Sequence, residues 1–79
     1  MNDWKQHLSG YLKEELTDSE KYANLARETE GCERQMFHDM AEEEWEHACA
    51  VWHMMEKEGM TSGMDKEAIF HSAKAALYK

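Results

Sequence analysis

The chain has 79 residues with no proline, four glycines and two cysteines, and 17 acidic against 9 basic side chains give a formal net charge of −8. A chain of this length holds one small domain whose core supplies only about 3–5 kcal/mol, so support from an oligomer or a metal is expected. The charge repels nucleic-acid phosphates and anionic lipid surfaces, and no apolar run nears the roughly 20 residues that cross a bilayer, so neither nucleic acid nor membrane is an expected partner.

Abundant Ala, Glu, Lys, Leu and Met without proline is the composition of long helices, and an all-α fold is expected. The first helix is predicted over residues 3–30, started by Asn2 or Asp3 and stopped by Gly31, with Gly10 tolerated inside it. The second is predicted over residues 33–58, stopped by Gly59, with Lys57 in the last turn where the helix dipole favours a cation. After Thr61-Ser62-Gly63-Met64-Asp65, a loop with capping residues, a shorter third helix is predicted over residues 66–78. The turn at Gly31 is too short for anything but an antiparallel hairpin of the first two helices.

On the first helix, Trp4, Leu8, Tyr11, Leu12, Ser19, Tyr22, Ala26 and Thr29 gather on one side, with Glu15 at the centre of the stripe. On the second, Met36, Phe37, Met40, Val51, Met54 and Met55 form an apolar arc whose midline Glu44 and His47 straddle one turn apart. The methionines at this spacing read as core filling. Trp45, Cys49 and Trp52 add a second strip, so this helix needs two packing partners, the third helix or another subunit being one of them.

Carboxylates are almost never fully buried without a partner, since desolvating one costs several kcal/mol, roughly, even after relaxation. Glu15, Glu44 and His47 therefore form a candidate metal-ligand set. The residues i and i+3 of a helix share a face, so Glu44 and His47 can serve one metal while Glu15 approaches from the facing helix. Glu43, four residues before His47, is the alternative to Glu44. Because a two-helix hairpin cannot cover its own apolar faces, a homodimer or higher oligomer is expected. Two copies supply four carboxylates and two imidazoles, the donor set of di-iron and di-manganese carboxylate bundles.

His7, His38, His53 and His71 read as solvated, and Glu67 with His71 as at most a surface pair. Cys32 and Cys49 form no Cys-x-x-Cys, so two reduced thiols in a cytoplasmic protein are expected, in keeping with an N-terminus that has neither the basic start nor the apolar core of a signal peptide. A Gly-rich phosphate loop and a basic aromatic surface are both missing from the sequence.

Glu15-x6-Tyr22 together with Glu43-Glu44-Trp45-Glu46-His47-Ala48 resembles the rubrerythrin-like branch of the ferritin-like superfamily, over about residues 8–59. The architecture looks most like the encapsulated ferritins, short two-helix chains that build a ferroxidase site across a dimer and assemble into rings. The resemblance implies a four-helix bundle completed by dimerisation. It implies Glu15, Glu44 and His47 as iron ligands, Tyr22 as a hydrogen-bond donor beside the site, and two Fe per dimer site oxidised by dioxygen or peroxide. Mn or Zn suits the same donors. The four-cysteine electron-transfer module of classical rubrerythrins is not written here, and residues 73–79 do not resemble the tail that targets such proteins to an encapsulin shell. A metal-binding module without turnover and a purely structural helical oligomer are the alternative readings.

Overall fold

A computed structural model describes residues 4–79, which form three α-helices: α1 (Leu8–Arg27), α2 (Gly31–Lys57) and α3 (Lys66–Leu77), with a single 3-10 turn at Trp4–His7 leading into α1. The predicted start at Asn2 or Asp3 lies outside the described residues. Helices α1 and α2 pack as the expected antiparallel pair, and α3 runs along the groove between them, from Trp52 and Phe70 at one end to the bond that Arg27 donates to Ala76 O at the other. Among the described residues no helix is long and apolar enough to cross a membrane, and Cys32 and Cys49 are both free thiols.

The end of α1 comes earlier than predicted. The chain leaves the helix at Arg27, not at residue 30, because the last carbonyls find other donors. The Thr29 hydroxyl donates to Leu25 O (2.9 Å) and Ala26 O (3.2 Å), and Arg34 Nε, reaching back from α2, donates to Ala26 O (3.0 Å) and Thr29 O (2.7 Å). These bonds satisfy the groups that every helix end leaves orphaned. Gly31, expected to stop the first helix, is instead the first residue of α2, two residues before the predicted start at 33, and at φ +63° it reverses the chain in a conformation that other residues rarely adopt.

At the far end of α2 the glycine acts where the sequence put it. Met60 N–H donates to Met55 O (2.9 Å) and Gly59 N–H to Glu56 O (3.0 Å), the paired bonds of a Schellman cap with Gly59 at φ +71°. A Cβ on Gly59 would meet no neighbouring atom, so Gly59→Ala is expected to cost only the left-handed backbone penalty, about 1–2 kcal/mol, read as a lower midpoint in urea unfolding with an unchanged slope. Helix α3 opens on Asp65, whose side chain accepts from Ala68 N–H at 3.3 Å.

The core stripe of α1 is Leu8, Leu12, Leu16, Ser19, Ala23 and Ala26, at helical spacings of three and four. It meets Ala41, Ala48, Val51, Trp52 and Met55 of α2 and Phe70, Ala73, Ala76 and Leu77 of α3. The predicted faces hold at Leu8, Leu12, Ser19 and Ala26 of α1 and at Val51 and Met55 of α2, and are corrected elsewhere. On α1 the buried line runs to the Leu16 side of Glu15, which moves Glu15 from the centre of the stripe to its edge and leaves Tyr11 48% exposed. On α2 the buried line runs through the two alanines, so Met36 is 62% exposed and Met54 is also exposed. Small side chains explain the rotation: Ala41 and Ala48 allow α1 to approach closely, and the Ser19 hydroxyl bridges the seam by donating to Ala41 O at 2.8 Å while fully buried.

The second strip of α2 finds its partner in α3. Phe70 meets the edges of both Trp45 (5.4 Å between centroids) and Trp52 (5.8 Å). Among the described residues no helix covers the opposite side of the hairpin. Trp4, Tyr11, Met36 and Met54 are exposed there beside half-buried Tyr22, Phe37 and Met40.

Candidate metal centre

Glu15, Glu44 and His47 converge on that uncovered side. One ligand atom from each lies within 4.8 Å of the others. His47 Nδ1 is 3.2 Å from Glu44 Oε1 and 3.8 Å from Glu15 Oε2. Glu44 and His47 are held in register by the unbroken α2 backbone, and the alanine seam brings α1 near enough for Glu15 to reach across. Glu43 is exposed and does not join the cluster, which distinguishes it from the half-buried Glu44.

The cluster is graded in exposure. The Glu15 side chain is 22% exposed and that of Glu44 is 26% exposed, whereas His47 is 59% exposed. Glu15 Oε1 is buried with no hydrogen-bond partner. Burial pushes the Glu15 carboxyl above the usual carboxylate range; the His47 ring opposes the shift, and Glu44, Glu14 and Asp18 add to it. An orphaned carboxylate oxygen with a second carboxylate and an imidazole beside it makes an electron-rich pocket. First-row divalent metals such as iron, manganese and zinc take such mixed oxygen and nitrogen donors, so the residues present fit a metal of that class.

Tyr22 shares this side of α1 with Glu15, two turns further along. Within one chain its ring stacks on Phe37 (6.5 Å between centroids, 16° between planes), Lys21 Nζ lies 4.9 Å from it, and its hydroxyl makes no hydrogen bond to the three cluster residues.

A second group escaped the sequence reading. His38, Asp39 and Glu42 present ligand atoms within 4.8 Å of one another on α2, with His38 Nδ1 3.4 Å from Glu42 Oε1 and Asp39 Oδ1 accepting from Gln35 at 2.8 Å. The signal available was the i,i+4 spacing of His38 and Glu42. All three come from one helix, and two of them are exposed. His7, His53 and His71 are exposed, as expected.

Compared with known proteins, the chain matches no family model, no curated protein and no solved structure.

Proposed function

We propose that two copies of this chain join through the uncovered side of the α1–α2 hairpin into a ferritin-like four-helix bundle. In this reading the bundle holds two iron ions and oxidises Fe(II) with dioxygen or peroxide. The observation that carries it is the convergence of Glu15, Glu44 and His47, with a buried unpartnered oxygen, amid the exposed aromatic and methionine side chains. One chain leaves His47 largely in water, and a second copy laid over this side encloses it. The doubled set supplies four carboxylates and two imidazoles, whose four negative charges balance two divalent cations.

Bound iron would supply the one-electron chemistry. The chain's own residues bind and manage protons. Glu15, whose carboxyl holds its proton more firmly than a solvated one, releases it on binding, and His47 must be neutral to donate a ring nitrogen. Tyr22, two turns along α1, is assigned the part of a hydrogen-bond donor near the centre in the assembled dimer.

Native mass measurement with metal analysis on the same sample tests the assembly: a dimer or a multiple of it, carrying one iron per chain, is expected after anaerobic Fe(II) loading. A metal-free monomer under those conditions would overturn the reading. Admission of oxygen should then give an absorbance change that disappears in His47→Ala. Stable metal binding with no oxidation above the buffer rate would select a binding module instead. The His47 to Glu44 hydrogen bond favours one further reading, in which the three side chains simply satisfy one another in a structural oligomer.

A further inference from the structure

On the other side of α2 lies a feature the metal centre does not use. Trp45 and Cys49 sit roughly 160° and 160° around the helix from His47, facing α3 and not the carboxylate cluster. Between α2 and α3 the packing rests on aromatic edges: Trp45 meets Phe70 at 86° and Tyr78 at 88°. Beside these rings lies an open groove of about 370 Å³, with Trp45, Cys49 and Phe70 forming its apolar floor and exposed Lys66, Lys74 and His71 among the residues at its rim.

The charge of this groove inverts that of the chain. Seventeen acids face nine bases overall, yet here Glu67 is the one carboxylate in the lining against two lysines and a histidine. Neither lysine closes an ion pair among the described residues. Lys66 Nζ is held over apolar surface, 5.6 Å from the Phe70 ring centroid and 6.0 Å from that of Trp52. The Cys49 thiol is half-buried and shifted toward its neutral form by burial, so it serves as a polarisable wall and not as a nucleophile.

We infer that this groove binds a small aromatic anion, one or two fused rings carrying a single carboxylate, sulfonate or phosphate. The rings would lie against Trp45, Cys49 and Phe70, and the anionic group would lie in the field of Lys66 and Lys74, which flank the site two turns apart on α3. An apolar concavity with a few convergent polar groups is the general form of a small-molecule site, and the volume suits a ligand of about a dozen non-hydrogen atoms. The inference is independent of the metal centre and stands if that centre proves structural.

The test uses the full chain, 2-naphthoate as the probe and the uncharged 2-naphthylmethanol as its control, followed by amide and indole chemical shifts. Saturable shifts are expected at Trp45, Cys49 and Phe70, with a dissociation constant on the order of 0.1–1 mM. The control should bind roughly fivefold or more weakly. Lys66→Glu with Lys74→Glu should weaken naphthoate at least about tenfold, and the milder Lys66→Gln with Lys74→Gln, which puts less strain on α3, should weaken it about fivefold. Equal binding of the uncharged control, unchanged binding in the lysine variants, shifts clustered instead on Tyr11, Met36 and Met54, or no saturation would each overturn the inference.

Discussion

Glu15→Gln is expected to shift stability in opposite directions with and without metal. In the metal-free protein Glu15 Oε1 is buried with nothing to accept from, and the carboxyl is harder to ionise than in the unfolded chain. A group whose folded pKa is raised keeps more protons in the native state. Its contribution is therefore fully present below the ordinary carboxylate range and is lost as pH rises through the raised value. Glutamine has the same shape and no charge to desolvate, so the metal-free variant should be more stable at neutral pH by about 1 kcal/mol and should lose the downward slope at mildly acidic pH. With metal present the sign reverses. A cation at a hundred times its dissociation constant stabilises the native state by about 2.7 kcal/mol, and most of that gain should vanish with the ligand. Urea unfolding from pH 5 to 8, with Fe(II) under anaerobic conditions and with chelator, reads both halves. Destabilisation in both states would mark the cluster as a structural network.

Phe70→Ala is expected to have the larger effect on the fold. Phe70 is buried, and its ring touches the edges of both α2 tryptophans that face α3. Truncating such a ring in a core costs about 3–5 kcal/mol, part of it the two edge-to-face pairs at roughly 0.5–1.5 kcal/mol each. Domains carry about 0.05–0.15 kcal/mol of stability per residue, roughly 4–12 kcal/mol for this chain, so the loss takes a large share of the total. The thermal midpoint should fall by at least about 12 °C, with amide protection in α3 lost before that of the hairpin. A fall under about 5 °C would show that α3 contributes little to the core.

The helices themselves were legible because their punctuation is chemical. Gly59 closes α2 through its left-handed backbone, and Asp65 opens α3 through its carboxylate. The end of α1 was not legible, since it depends on Arg34 reaching back across the turn, a contact with no local signature. The faces were partly misplaced for a related reason. Large apolar residues point to the methionines, and Ser19 lies on the expected stripe, but the rest of the seam is built on Ala23, Ala41 and Ala48, whose small size matters only when another helix is present. The grouping of Glu15, Glu44 and His47 survived that error, because a charge at the edge of a seam still lies within reach of the opposite helix. His38 with Glu42 was passed over because both sit away from the apolar stripe.

The alanine seam has a consequence for the donors beside it. Helices packed through side chains of this size sit toward the near end of the usual 8–10 Å range of axial separations. The seam thereby works as a caliper for the carboxylates at its edge. A glutamate reaches across it, and an aspartate, one methylene shorter, falls short by about 1.5 Å. What Ala41 and Ala48 hold constant is a gap width, and that width, more than the sequence of the donors, decides how tightly Glu15 and Glu44 can close on anything placed between them.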